Sequence, residues 1–165
     1  MATSKAHAVL ETALTWTDTG GDAALDLGGL SAAAVRAGTL LDLGTGARPY
    51  LYEWRMVVDG FDTAPVVGET VDIYLATSDG TNHDGDISGT DGASSTVVLP
   101  NLRYLGSCVV QTTTAANELI ASGVIEIFAD QVAPVVHNNT ADALLSTSDA
   151  HKFILTPISI QGQAS

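Results

Sequence analysis

Hard oxygen ligands at near-alternate spacing are what a calcium ion requires, and Asp79, Asn82, Asp84, Asp86 and Asp91 stand at such spacing among glycines. Their order is not that of an EF-hand, because Gly85 precedes Asp86 and no Glu closes the frame, and Asp-Gly pairs also make ordinary hairpin turns. A turn-rich loop is the reading adopted for the run from Asp79 to Asp91, with calcium as the alternative. The four histidines, His7, His83, His137 and His151, are scattered with no ligand pair at helical or strand spacing. Solvated or hydrogen-bonded rings are expected there rather than a zinc site. Ser, His and Asp are all abundant, but the nucleophile elbow G-x-S-x-G is absent. Glu53 and Asp72 could serve as a glycosidase pair, yet both fall in strand patterns where exposed charges alternate with core residues, so a solvated face is expected. The run from Asp42 to Gly46 opens like a glycine-rich cofactor turn, but Arg48 and Pro49 lead on into a strand and not a helix. Tyr50, Tyr52 and Trp54 would make a sugar platform if they faced outward; three aromatics in succession on one strand face are read as core. Cys108, the single cysteine, lies in an apolar run and is read as a buried, unreactive thiol. No residue is assigned a catalytic, metal-binding or cofactor-binding role, and the chain is not expected to be an enzyme.

Composition narrows the partners. The 165 residues suit one well-buried core, and the chain is read as a single domain. It is 45% hydrophobic and only 15% charged, a profile that suits short strands joined by turns better than long helices. The net charge of −13, from 19 acidic against 6 basic residues, repels a phosphate backbone and an anionic membrane surface. Neither nucleic acid nor membrane is expected as a partner. The start shows no signal-peptide pattern, and no apolar run approaches the ~20 residues that span a bilayer, so a soluble protein made in a cytoplasm is expected.

The elements follow from periodicity. Tyr50, Tyr52, Trp54, Met56 and Val58 alternate with Leu51, Glu53, Arg55 and Val57, which is the period of a strand. Beyond a connection broken by Gly60, Pro65 and Gly68, the residues Val71, Ile73 and Leu75 alternate with Thr70, Asp72 and Tyr74, and the two strands are expected to pair antiparallel. Residues 1–38 read as an arm with a helical turn or two over 31–37, Ser31 as N-cap and Gly38 as stop, with a loose loop as the alternative. A short strand entering at 13–17 is a further reading of the arm, and residues 39–165 are taken as the body of the domain. Early and later strands are expected over 39–43, 102–111, 120–128, 132–136 and 152–160, with Val124 and Phe128 facing inward. Phe153 and Leu155 are expected opposite Ile154 and Thr156. Pro134 and Pro157 cannot donate to a ladder, so their strands are expected at sheet edges or bulged. The turn-rich loop after Leu75 runs about eighteen residues, longer than the ~12–15 common in compact domains, and such loops are usually functional or mobile. The sum is about eight short strands, the mark of an antiparallel sandwich or barrel.

The run APVVGETVDIYLATSDGTNHDGD resembles a block found in small β-sandwich virion proteins of tailed bacteriophages, some of them capsid decoration or cement proteins. The resemblance continues in LPNLRYLGSCVVQTTT and in QVAPVVHNNTADALLSTSDAHKFILTPIS, and so covers the chain from Gly46 onward; the first forty residues match poorly. What it implies is an all-β, antiparallel sandwich of jelly-roll type, and a structural role on the outer capsid surface of the virion. The implied partners are the major capsid protein and other copies of the chain, commonly as a homotrimer at local threefold positions, with no catalytic motif. The residues leave a second reading open, a tail- or fibre-associated binding module that recognises carbohydrate or another virion protein.

Overall fold

The computed structural model describes residues 6–44 and 46–162. The chain is nearly all β. Its strands are β1 (Ala6–Leu10), β2 (Leu14–Thr17), β3 (Ala23–Ala24), β4 (Val35–Ala37), β5 (Leu41–Asp42), β6 (Leu51–Asp59), β7 (Thr70–Ser78), β8 (Gly92–Ser94), β9 (Arg103–Val109), β10 (Glu118–Glu126), β11 (Gln131–Asn139) and β12 (Lys152–Gly162). Two short 3-10 turns, Asp84–Asp86 and Leu99–Asn101, are the helical pieces among the described residues.

Two sheets pack face to face. The first runs β10-β6-β12-β2-β3 with β1 also on β12, and the second runs β8-β4-β11-β7-β9 with β5 also on β11. β1 and β2 lie along one side of β12 as a single interrupted strand, and β4 and β5 lie in the same way along β11. With each interrupted pair counted once and the short β3 and β8 set aside, the long strands pair first with last (β1/β2 with β12), second with seventh (β4/β5 with β11), third with sixth (β6 with β10) and fourth with fifth (β7 with β9). All of these pairings are antiparallel.

The alternation in β6 and β7 places the core. Tyr52, Trp54, Met56 and Val58 from one sheet meet Val71, Ile73 and Leu75 from the other, and all are buried. Phe153 and Leu155 on β12, on the face opposite Ile154 and Thr156, join them, with Phe153 edge-on to Trp16 at 5.7 Å between ring centres. Each such side chain stabilises the fold by roughly 1.5–3 kcal/mol when removed from water. Trp16 can be buried at no polar cost because its indole N–H donates to the Thr39 carbonyl at 2.8 Å.

Several sequence expectations are corrected. β6 and β7 do not pair; the connection between them crosses from one sheet to the other, held by the buried Phe61 and its bridge to Leu144. The arm assigned to residues 1–38 is part of the sandwich, since β1 and β2 extend the first sheet, β4 extends the second, and Trp16, Leu25 and Leu27 are fully buried. Residues 1–5 of that arm lie outside the described residues. No helix forms over 31–37. The buried Asn138 takes that segment for the sheet, with its backbone N–H on the Ala34 carbonyl and its side-chain amide on the carbonyls of Leu30, Ser31 and Asp142. Of the strand expected over 39–43, only Leu41 and Asp42 pair.

The prolines are corrected together. β11 and β12 are interior strands, yet Pro134 and Pro157 fit because each backbone faces the break in its interrupted neighbour. The Pro134 carbonyl accepts from Gly38, just past β4, and the Pro157 carbonyl accepts from Glu11, just past β1. In an antiparallel strand a residue's nitrogen and carbonyl point to the same side, so the missing N–H of each proline falls where no ladder bond is due.

The long loop is not loose. Residues 79–102 fold back over the outer face of the second sheet and bury Ile87, Leu99 and Leu102 against Val35, Ala37, Ala76, Ala133 and Val135. Arg36 fastens this roof by donating from Nε to Asp91 at 2.9 Å and from its terminal nitrogen to the other carboxylate oxygen.

Candidate functional site

The residues with chemistry in their side chains are mostly occupied in holding backbone. Asp79 accepts from the Thr81 and Asn82 N–H groups at 2.8 and 2.7 Å, and those bonds, Asn82's first, hold its carboxyl down to about 2. Asp84 accepts from the backbone and hydroxyl of Thr77 at 3.0 and 2.6 Å, while Asp91 is tied to Arg36. The carboxylates from Asp79 to Asp91 therefore serve different neighbours. Among the described residues no three His, Cys, Asp or Glu side chains gather where a metal ion could sit.

The histidines are equally dispersed. His151 is buried, accepts the Asp59 N–H at Nδ1 (3.1 Å) and donates from Nε2 to the Leu145 carbonyl (2.9 Å), and burial pushes its pKa down, so the ring is neutral. His83 meets the buried Ser78 hydroxyl at 2.9 Å, and among the described residues no carboxylate stands beside the ring to orient it as a base. His137, Asp72 and Ser107 form a row, but the order is wrong for nucleophilic catalysis. Ser107 donates to Asp72 at 2.5 Å and His137 stands 3.8 Å from the other side of the same carboxylate, so the hydroxyl has no imidazole base. Glu53 and Asp72 are not brought together, because β6 and β7 belong to different sheets and the two carboxylates project from opposite outer faces of the sandwich. Cys108 is buried, which pushes its thiol up to about 12. Asp42 closes a tight turn on the Gly44 N–H at 2.7 Å, and Thr45, the middle of that glycine run, lies outside the described residues.

What remains is surface. The two outer faces differ. That of the second sheet is roofed in part by residues 79–102, whereas that of the first has no such second layer among the described residues and exposes several large apolar side chains. Pairing aligns Val124 with Glu53 and Thr156, Ser122 with Arg55, Ile154 and Thr15, and Ile120 with Val57 and Lys152. The next row is Glu126, Leu51, Ile158 and Leu10, and beyond it Ile160 pairs with Ala8. Leu10, Ile120, Val124 and Ile160 on this face are each more than half exposed. The sequence reading had placed Val124 inward. The inward set of β10 is instead Leu119, Ala121, Gly123 and Ile125, one residue out of step, because Gly123 lies opposite Trp54 and its missing side chain makes room for the indole.

At one end of this face stands an aromatic ridge. Tyr52 and Trp54 are core, as predicted, but Tyr50 is half exposed and stacks on Phe128, which is 75% exposed, with ring centres 5.8 Å apart and 13° between planes. Phe128 was expected inward, so it too is corrected. Arg48 fixes the ridge by donating to the carbonyls of Phe128, Ala129 and Gly44 and to Asp130. Beside the ridge runs an open groove of about 550 Å³ between Ala47–Leu51 and Ile158–Ile160, where β12 continues past the start of β6. Among the described residues no helix is long and apolar enough to cross a membrane. No family model matches this chain, and comparison with curated proteins and with solved structures likewise finds no match.

Proposed function

We propose that this chain is a structural virion protein that decorates the capsid of a tailed bacteriophage, on its outer surface, through contacts with the major capsid protein and with its own copies. The observation that carries this reading is the exposed apolar side chains on the outer face of the first sheet, in a molecule where Asp79, Asp84 and His151 hold its own backbone and Asp91 is tied to Arg36. Antiparallel sheets with one solvated face normally alternate apolar inside and polar outside, and a departure of this size marks a contact surface. The resemblance of the chain from Gly46 onward to small virion β-sandwiches supports the same reading and implies a homotrimer. We read the fold as a jelly roll. Support comes from the pairing of first strand with last, second with seventh, third with sixth and fourth with fifth, which is what an antiparallel ribbon gives when rolled on itself.

In this role the mechanism is mechanical: each contact is modest, and many repeated contacts raise the energy needed to separate capsomers. The contacts must be apolar and hydrogen-bonded, because copies carrying −13 repel one another over about 8 Å at physiological salt. The test is to add purified protein to shells that lack it while salt is raised. Occupancy that holds or rises supports the reading, and steep release by salt would mean that charge, not apolar contact, holds the protein on.

The second reading, a binding module for carbohydrate, is favoured by one observation, the exposed Tyr50–Phe128 stack with polar clefts beside it. Aromatic faces of this kind suit the C–H surface of a sugar ring. Glycan binding that Phe128→Ala abolishes would favour the module over the decoration protein.

A further inference from the structure

We propose that the outer face of the first sheet, formed by β10, β6, β12 and the interrupted β1/β2 strand, is the surface on which a second copy of this chain packs. The inference rests on the self-association in the reading above and gives it a location.

Three observations lead there. The first is the asymmetry between the faces: residues 79–102 cover the second sheet around Val35, Ala76, Ala133 and Val135 and leave Tyr104 and Val109 exposed at its β9 edge, whereas on the first sheet Val57 is buried and Leu10, Ile120, Val124 and Ile160 are more than half exposed. The uncovered side chains are not scattered. Register places Val124 diagonal to Leu51, Leu51 opposite Ile158, Ile158 opposite Leu10, and Ile160 in the adjacent row, so they form one apolar band across four strands.

The second observation is size. Four strands about 4.8 Å apart and about nine residues long span a plane of roughly 600 Å² before the relief of the side chains is counted. That relief brings the face close to the ~800 Å² per partner of a stable protein interface.

The third is charge, which selects the partner. The chain has 6 basic residues and a net charge of −13, yet two of the basic residues stand on this face, Arg55 beside Glu53 and Lys152 at the start of β12 in the row next to Asp59 and Glu118. The acids Asp59, Glu118 and Glu126 stand toward its margins, at the two ends of β10. The face thus carries both signs, which a second copy can pair at short range, while the repulsion between copies of net −13 is screened by salt. The ribbon of β1 on the last residues of β12 adds to the case. It runs beyond the start of β6 with Leu10 and Ile160 exposed, and a two-stranded ribbon is marginal in water without something packed on it.

Sedimentation equilibrium of the full chain, without capsids, tests the proposal with Val124→Glu and Ile160→Glu on the face and Val97→Glu on the opposite roof. All three sites are more than half exposed, and circular dichroism confirms that each variant is folded. The native chain is expected to self-associate, each face variant to raise the dissociation constant by at least about tenfold, and Val97→Glu to leave it unchanged. Hydrogen exchange of the native chain at low and high concentration reads the same face without substitution, with slower exchange expected in β1, β10 and β12 at high concentration. A native chain that stays monomeric overturns the proposal, and so does an oligomer that both face variants leave intact. Because no capsid is present, failure here does not touch capsid binding, and failure to bind shells does not touch this result.

Discussion

Gly123→Ala adds one methyl group where the structure has no space for it. The new Cβ would stand 2.8 Å from the Trp54 Nε1, 3.0 Å from Cε2 and 3.1 Å from Cζ2, closer than side-chain atoms tolerate. The indole cannot recoil, because its far edge already meets Gly106 of β9, where a Cβ would be 3.1 Å from Cη2. Overpacking of a closed core costs about 1–3 kcal/mol, and the alanine returns about 0.4–1 kcal/mol by restricting the unfolded chain, so the net loss is roughly 1–2 kcal/mol. For a chain of this size that lowers Tm by roughly 2–8 °C. Urea unfolding followed by far-ultraviolet circular dichroism measures it. Gly46→Ala is the control, since nothing lies within 4 Å of that site, and it is expected to be neutral or slightly stabilising. In a Trp54→Phe background the smaller ring leaves room, so the penalty of Gly123→Ala is expected to shrink by about 1 kcal/mol or more. If Gly123→Ala costs nothing, or costs the same in both backgrounds, the Trp54 slot between two glycines is not what sets the β10 register.

Three more outcomes are expected. Asn138→Leu removes the amide that joins Leu30, Ser31 and Asp142 and leaves the buried Thr140 N–H without its acceptor, while the Thr140 hydroxyl and the Asp142 carbonyl keep each other; it is expected to destabilise by about 2–3 kcal/mol, read as a drop in the urea midpoint, and a change within error would mean that water replaces the amide. His151 is held neutral in the fold, so the unfolded chain takes up a proton there first. Its contribution is flat above the ordinary histidine value of about 6.5 and stability falls as pH drops below it, by up to about 1.4 kcal/mol per pH unit. His151→Gln should flatten that slope between pH 6.5 and 4, and an unchanged slope would assign it to other groups. Chelation of divalent ions is expected to leave Tm where it was, and a drop of many degrees would make the acids from Asp79 to Asp91 a site after all.

The parts of the fold legible in the sequence are those where period two runs unbroken. In β6, β7 and the first half of β12 every inward residue was identifiable, because a large apolar side chain stands at each alternate position. β10 was misread by one residue since Ser122 and Gly123 interrupt its apolar run, and only the position of Trp54 on the neighbouring strand reveals that the glycine faces inward. Pro134 and Pro157 misled because the rule that excludes them from interior strands assumes an unbroken neighbour, and here both neighbours break where the proline comes. The glycine-rich start hid three core residues, Trp16, Leu25 and Leu27, and the ring that packs edge-on to Trp16, Phe153, lies more than a hundred residues away in sequence. The exposed face was out of reach for the same reason. Which apolar residues of β1, β10 and β12 share one surface depends on a strand order that local pattern does not contain.

The reading as a decoration protein rests most directly on copy number. On that reading, purified virions that contain this chain, separated on a gel and quantified against the major capsid protein, are expected to hold it on the order of hundreds of copies per particle, as the repeated sites of an icosahedral shell demand. A few copies per particle, or a band that follows purified tails and not heads, would contradict decoration and turn attention to the ridge of Tyr50 and Phe128.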